Sequence, residues 1–276
     1  MKCFYHSADF DGKCGGAIVQ MTFPSCELIG IDYGDPFPWD KIKEGELVYM
    51  VDFAIQPYEE MLRLASKCEL IWIDHHKSAL AWARDNNFCP RGRRSIDFAA
   101  CELVWEFFYE KKIMPRAIRL LGSYDIWKWQ SVEGCLEFQM GMKLLNLPAT
   151  SILWKELFEN KHVEDIIKNG GLILQYQKQQ DEDTCKYAVH EVRWEGLDWI
   201  ALNGPFRGSG VFESVWNHKY HGMLVYGWCR DHWRFGLYTD REDVDVSAIA
   251  KKYGGGGHKG AAGFQAKVCP FCIGDK

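Results

Sequence analysis

Leu70-Ile71-Trp72-Ile73-Asp74-His75-His76 is the stretch on which the reading of this chain turns. Four apolar residues rich in strand formers run straight into an acid and two adjacent histidines, the pattern of a buried parallel strand that ends at a site. Neighbouring side chains on an extended backbone point in opposite directions, so His75 and His76 can serve different purposes, one toward a metal and one toward a substrate group. A histidine pair at a strand end also fits a hydrogen-bonded core feature, and the stretch alone leaves both readings open.

The preceding sequence repeats the arrangement. Lys2-Cys3-Phe4-Tyr5 is a short apolar run that leads into His6-Ser7-Ala8-Asp9-Phe10-Asp11-Gly12, and Lys13 to Met21 is helix-like. Strand, polar turn and helix make the first unit of an α/β fold. Asp9 and Asp11, two apart in a loop, can converge on one cation, although Asp-x-Asp-Gly also occurs in plain turns and calcium loops. Cys26 to Ile31 reads as a second strand, followed by a turn at Gly34-Asp35-Pro36-Phe37-Pro38. Glu46 to Phe53 is a third, with Asp52 at its C-terminal end, and Pro57 opens a helix through about Lys67. In an open parallel sheet such strand ends lie along one edge, where ligands bind.

Further on, Lys77 to Asn87 is helical, and Cys89-Pro90-Arg91-Gly92-Arg93-Arg94 reads as a solvated basic turn rather than a phosphate-contacting patch. Asp97 to Lys112 is an apolar helix that should cover the sheet. A helix from Arg116 ends near Tyr124-Asp125-Ile126-Trp127. Asp125 among aromatics is costly to bury unless paired or ligating, which makes it a fourth carboxylate candidate beside the alternative of a helix-end hydrogen bonder.

Composition bounds the rest. The chain has 276 residues, 47% hydrophobic and 26% charged, which fits a globular protein of two domains. No segment reaches the roughly 18 uninterrupted apolar residues of a membrane span. Strand-like sequence from Lys2 onward leaves no signal segment, so a cytoplasmic location is expected. Eleven cysteines, an odd number scattered through strands and helices, argue against a disulfide framework. Cys269 and Cys272 form a Cys-x-x-Cys pair without a second pair to complete a zinc site, and the bland reading is a terminal tail. The net charge of −5 provides no global basic field for long nucleic acid.

The motifs, in this order, resemble the DHH phosphoesterase family: His6-x-x-Asp9-x-Asp11-Gly12, Asp52, Asp74-His75-His76 and Asp125-x-Trp127, with Gly254-Gly255-Gly256-Gly257-His258-Lys259-Gly260-Ala261-Ala262-Gly263-Phe264 similar to the family's C-terminal substrate-binding domain. The resemblance implies two divalent metal ions. His6, Asp9 and Asp52 would hold one, and Asp11, Asp52, His75 and Asp125 the other, with Asp52 bridging. Mixed oxygen and imidazole ligands without thiolate suit Mn²⁺, with Mg²⁺ or Co²⁺ as substitutes. His76 would face the phosphate and Asp74 would orient the histidines.

The second half reads as helices from Glu133 to Glu159, then a long helix from Val163 to about Tyr187 that loses its apolar stripe and is expected to link the domains over a substrate cleft. The expected architecture is α/β: residues 1–162 a catalytic domain with a mainly parallel sheet flanked by helices, 163–188 a helical linker, and 189–276 a smaller α/β substrate-binding domain. There Trp199 to Asn203 is a strand, Gly208 to Trp216 begins a helix, Met223 to Arg230 and Trp233 to Tyr238 form a hairpin around Asp231-His232, and Val244 to Tyr253 is a helix. The glycines Gly255, Gly256 and Gly257 with His258 would form an anion-binding loop. Where relatives carry an Arg-Ser pair this chain has Tyr238-Thr239. Arg230, Arg234 and Arg241 are the replacement candidates, and Arg230 is the one assigned to the substrate.

The expected activity is hydrolysis of short oligonucleotides or nucleotide phosphoesters by a hydroxide generated between two metals. The alternatives are a polyphosphate or pyrophosphate hydrolase and a catalytically inactive nucleotide-binding regulator. No membrane partner is expected, and the sequence leaves oligomeric state open, a homodimer included.

Overall fold

The computed structural model describes residues 1–204 and 207–271. It divides into two compact units, Met1–Leu174 and Gln175–Lys276, and the division falls inside one helix, α8 (Val163–Ala188).

In the first unit four parallel strands, β1 (Lys2–His6), β2 (Glu27–Ile31), β3 (Leu47–Val51) and β4 (Glu69–Ile73), lie in the order β2-β1-β3-β4. The chain crosses from β1 to its neighbour β2, back past β1 to β3, and on to the neighbouring β4. The helices α1 (Phe10–Thr22) and α2 (Glu59–Lys67) lie within these crossovers, and α3 (Lys77–Asp85) follows β4. The period of two along each strand sorts its side chains into two cores. Val48, Met50, Leu70 and Trp72 pack with Met61 and Leu64 of α2 and Ala79 and Ala83 of α3. Tyr49, Val51, Ile71 and Ile73 pack on the other face with Ile18 and Val19 of α1, Leu103 and Val104 of α4 (Ala100–Tyr109), and Leu121 of α5 (Arg116–Asp125). Burial on both faces explains why these strands read as continuous apolar runs, and each such side chain contributes roughly 1.5–3 kcal/mol. The unit continues through α6 (Cys135–Leu145) and α7 (Leu153–Phe158).

Two local expectations are revised here. The turn that was to hold both Asp9 and Asp11 is shorter than expected, because Asp9 caps α1, its Oδ1 accepting from the Gly12 amide at 3.0 Å, and Asp11 already lies in the first helical turn. The basic stretch is more than the solvated turn expected. It runs along the outer edge of β4, with the Trp72 amide donating to the Arg91 carbonyl at 2.9 Å and the Asp74 amide to the Arg93 carbonyl at 3.3 Å. Gly92 (φ +138°) makes that approach possible, since a Cβ there would lie 2.0 Å from the Trp72 carbonyl oxygen. The guanidinium groups are spent on structure: Arg94 donates to the Trp72 carbonyl at 2.9 Å, Arg93 pairs with Glu106 at 2.9 Å, and Arg91 reaches Glu69 at 3.8 Å. The segment thereby covers a sheet edge that would otherwise be open.

The second unit holds a six-stranded mixed sheet in the order β5-β6-β7-β8-β10-β9, formed by β5 (His190–Trp194), β6 (Leu197–Asn203), β7 (Gly222–Cys229), β8 (His232–Tyr238), β9 (Gly256–His258) and β10 (Ala261–Ala266). Only the β6–β7 pairing is parallel. Its core is aromatic, with Phe235 stacked on Phe264 at 4.5 Å and Tyr253 on Phe264 at 4.7 Å between ring centroids. The helix α9 (Val246–Lys252) is capped by Asp245, whose side chain accepts from the amides of Ser247 and Ala248. Between Gly208 and Trp216 only a single 3₁₀ turn forms, over Ser209–Phe212, in place of the expected helix. The β7–β8 turn is Arg230-Asp231 rather than Asp231-His232, because His232 already pairs with Cys229. Among the described residues no helix is long and apolar enough to cross a membrane.

Candidate metal centre

Every strand of the parallel sheet delivers a polar group at or just beyond its C-terminal end: His6 from β1, Asp32 from β2, Asp52 from β3, and Asp74-His75-His76 from β4. Asp9 and Asp11 come from the start of α1, and Asp125 is the last residue of α5. The sequence thus places its acids and histidines at one edge because parallel strands all end there.

Asp52 is the hub. It is 1% exposed and adopts a left-handed backbone (φ +55°), which a non-glycine residue rarely takes and which suggests a functional constraint at this position. Its Oδ2 lies 3.5 Å from His6 Nδ1, while its Oδ1 lies 3.2 Å from His75 Nε2 and 3.7 Å from His76 Nδ1. The two oxygens of one carboxylate therefore face two clusters. In the first, His6 Nδ1 is 2.9 Å from Asp9 Oδ2; in the second, His75 Nε2 is 3.7 Å from Asp11 Oδ2 and 3.3 Å from Asp125 Oδ2. Donor atoms of His6, Asp9 and Asp52, those of Asp11, His75 and Asp125, and those of Asp52, His75 and His76 each fall within 4.8 Å of one another.

The chemistry of these atoms fits divalent cations. His6 Nδ1 and Asp52 Oδ1 are buried and have no hydrogen-bond partner among the described residues, an expensive state for polar atoms that a metal ion would relieve. In the metal-free protein protons take that role. Burial opposes charge on His6, but the Asp52 and Asp9 carboxylates outweigh it and raise its pKa to about 11. The same balance at His75, with Asp52, Asp11 and Asp125 as the raising groups, lifts it to about 10. Burial pushes the Asp125 carboxyl up to about 6, with His75 pulling it down and Asp52 pushing it further up. Burial, then the Asp52 and Asp125 charges, hold Asp11 well above the usual carboxylate range.

The surrounding hydrogen bonds aim the imidazoles. Asp74 is fully buried, and its Oδ1 accepts from the amides of His75 (2.8 Å) and His76 (3.2 Å) and contacts His76 Nδ1 at 2.7 Å. Its Oδ2 accepts from the indole N–H of Trp72 at 3.2 Å. With Nδ1 committed to Asp74, His76 presents Nε2 outward. Asp11 is held by the start of α4, its Oδ2 accepting from the Ala100 amide at 2.8 Å and its Oδ1 from Cys101 at 2.7 Å, a favourable place for negative charge. Asp32, absent from the sequence-based set, plays for His6 the part that Asp74 plays for His76: its Oδ1 is 3.1 Å from His6 Nε2, leaving Nδ1 as the inward atom. The signal was available, since Asp32 immediately follows β2.

The residues assigned to substrate lie in the second unit. Gly256, Gly257 and His258 form the exposed edge strand β9, paired on one side with Ala261 to Gly263, so the expected glycine loop is in part a strand. Gly255 borders a cavity of about 750 Å³ also lined by Gly254, Arg207, Arg234 and Tyr238. Arg230 sits in the β7–β8 turn with φ +57° and is not among the residues lining that cavity, and Arg241 is paired with Asp243 at 2.6 Å. Cys269 packs against the aromatic core of this unit, and Cys272 lies outside the described residues.

No protein-family model matches the chain. An uncharacterized protein of Acanthamoeba polyphaga mimivirus is 25% identical over 257 residues, covering 85% of this chain and 56% of that protein. Oligoribonuclease NrnB of Bacillus subtilis (strain 168) is 23% identical over 300 residues, covering 94% of this chain and 71% of the relative. These likenesses agree with the DHH phosphoesterase family that the motifs resemble. Among solved structures, the pGpG-specific phosphodiesterase PggH of Vibrio cholerae superposes with a TM-score of 0.57 at 14% identity, over 97% of this chain and 93% of that one, a likeness of fold. The geometry divides Asp74-His75-His76 into a buried acceptor and two histidines, His75 with Nε2 turned to Asp11, Asp52 and Asp125 and His76 with Nδ1 held by Asp74.

Proposed function

We propose that this protein hydrolyses phosphoester bonds in short oligonucleotides or nucleotides, with the first unit as its catalytic part and the second as its substrate-binding part. The observation that carries the reading is the sharing of Asp52 between two ligand clusters, one oxygen turned to each. His6, Asp9 and Asp52 are the residues to hold one divalent cation, and Asp11, Asp52, His75 and Asp125 the other. When bound, a pair such as Mn²⁺, with Mg²⁺ or Co²⁺ as substitutes, supplies Lewis acidity toward a phosphate and a hydroxide at neutral pH.

The chain's own residues do the rest. Asp32 and Asp74 fix which ring nitrogens of His6 and His76 face inward and outward. His76, through Nε2, is placed to donate to a phosphate oxygen as charge develops there, and its pKa is raised by Asp74 and Asp52 against the effect of burial, which keeps the donor proton available. The reading draws support from an oligoribonuclease among the relatives. Ten free cysteines among the described residues agree with a reducing, cytoplasmic setting.

The test is a substrate panel of dinucleotides, longer RNA, bisphosphoadenosine, cyclic dinucleotides and polyphosphate, with Mn²⁺ and with chelator. Metal-dependent turnover of dinucleotides, with long RNA disfavoured, is expected. Release of phosphate from polyphosphate alone would replace this reading with the polyphosphatase alternative, and turnover of nothing in the panel would favour the regulator.

A further inference from the structure

A second cavity opens beside the metal centre within the first unit. Its volume is about 470 Å³, inside the range of small-ligand sites, and Tyr33, Phe37, Trp39 and Phe53 contribute to its wall. Tyr33 joins cavity and metal centre: its ring centroid lies 5.4 Å from that of His6, 6.0 Å from His76 and 4.7 Å from Phe53. At 38% exposure it keeps ring surface open to solvent. It also follows Asp32 directly, so the residue that orients His6 and the residue bordering the cavity sit on one turn, closed by the Asp32 amide donating to Asp35 Oδ2 at 3.0 Å.

The lining chemistry selects among the parts of a phosphoester substrate. Asp35 and Glu60 contribute carboxylates, and among the described residues no Lys or Arg lines the wall, so a second phosphate is repelled. Arg63 stands behind it, stacked on Trp39 at 4.0 Å and donating to Glu60 at 3.0 Å, which holds the indole in place. Aromatic faces with carboxylate acceptors at the rim suit a flat heterocycle bearing N–H donors. We propose that Tyr33 and this cavity hold the nucleobase of the nucleotide whose phosphate lies at the metal centre. The inference rests on the phosphoester reading above and narrows it: one base is gripped by the catalytic unit itself.

The experiment compares, with the Mn²⁺-loaded full chain, a dinucleotide and its two analogues lacking one base or the other while retaining the ribose. Stacking of one base predicts that wild type prefers the complete dinucleotide over one of the two abasic analogues by about 5- to 150-fold in kcat/KM, mostly through KM. Tyr33→Ala should collapse that preference toward unity, whereas Tyr33→Phe should retain it. Trp39→Ala, in the same wall, should reduce it as an independent check, and a Mn²⁺ isotherm on each variant verifies the folded metal centre. Equilibrium binding of a nucleoside 5′-monophosphate against ribose 5-phosphate reads the same preference without turnover. Equal handling of both abasic analogues and the dinucleotide by wild type, or a preference intact in both Tyr33→Ala and Trp39→Ala, overturns the inference while leaving the phosphoesterase reading in place. If wild type cleaves none of the three substrates, the reading of the reaction fails and takes this inference with it.

Discussion

Gly12 offers a sharp test of how tightly the metal centre is built. It lies in the first turns of α1, and a Cβ added there would stand 2.1 Å from the carbonyl oxygen of His6 and 2.8 Å from its Cβ. Ordinary contact begins near 3.4 Å, so Gly12→Ala must separate the end of β1 from the start of α1 by about 1.3 Å. The residues on either side of that seam are His6, Asp9 and Asp11, which contribute to both ligand clusters. Overpacking of this kind costs about 1–3 kcal/mol, which for a domain of this size lowers Tm by about 2–12 °C. Metal sites tolerate distance errors of only ~0.2 Å, and an ångström of misplacement at a reacting centre costs about 100-fold. We therefore expect Gly12→Ala to stay folded, to lose about 10- to 100-fold in Mn²⁺ affinity by calorimetry, and to show little of the wild type's Mn²⁺-induced rise in Tm. Wild-type affinity, within twofold, together with an unchanged Tm would refute the claim that this glycine sets the spacing.

Other outcomes follow from the same geometry. Asp52→Asn should reduce Mn²⁺ affinity by about 100-fold or more and abolish turnover with secondary structure retained, because one oxygen of the pair facing the two clusters is replaced by a donor. Asp32→Asn should cost about 10- to 100-fold in Mn²⁺ affinity with little change in stability, as for other partners that orient a ligating histidine. Asp74→Ala strands the His75 and His76 amides without their buried acceptor, while the Trp72 indole keeps the Phe53 carbonyl, and a loss of about 2 kcal/mol or more should appear in denaturant unfolding. Because His6 and His75 hold protons up to about 11 and about 10 in the metal-free protein, metal binding must displace them. Mn²⁺ affinity should then rise with pH between pH 7 and 9, with close to two protons released, measurable by calorimetry in buffers of different ionisation enthalpy. The sign for stability is opposite: their folded-state pKa values lie above the ordinary 6.5, so their contribution to the metal-free protein is complete below about pH 6.5 and lost as pH rises toward 10–11. A metal-free Tm that climbed over that interval would contradict this.

Much of the architecture was legible because parallel strands announce themselves twice, as continuous apolar runs and as polar residues at their tips. Leu70 to His76 and Glu46 to Asp52 carry both signals, and the structure brings their side chains together. Asp32 carries them more faintly. Its strand contains Gly30, is only partly buried before Ile31 and runs into Gly34-Asp35-Pro36, so the acid reads as part of a turn. The glycine run was illegible for another reason. Gly256 and Gly257 have no side chains to show alternation, and only pairing with Ala261 to Gly263 makes them a strand. Tertiary context likewise decided the basic segment, whose arginines find carbonyls and carboxylates brought close only by folding.

Asp11 has a consequence for how such a protein would age under relaxed selection. Its carboxylate secures the first two amides of α4 as well as facing His75. A descendant that gave up metal chemistry could shed Asp125 at little cost to its architecture and Asp9 at the cost of one helix cap, whereas loss of Asp11 would unfasten a helix that packs against the sheet. In such a lineage Asp11 should outlast its fellow ligands. Its presence in a diverged copy would testify to the fold, and Asp125 would be the better witness to surviving catalysis.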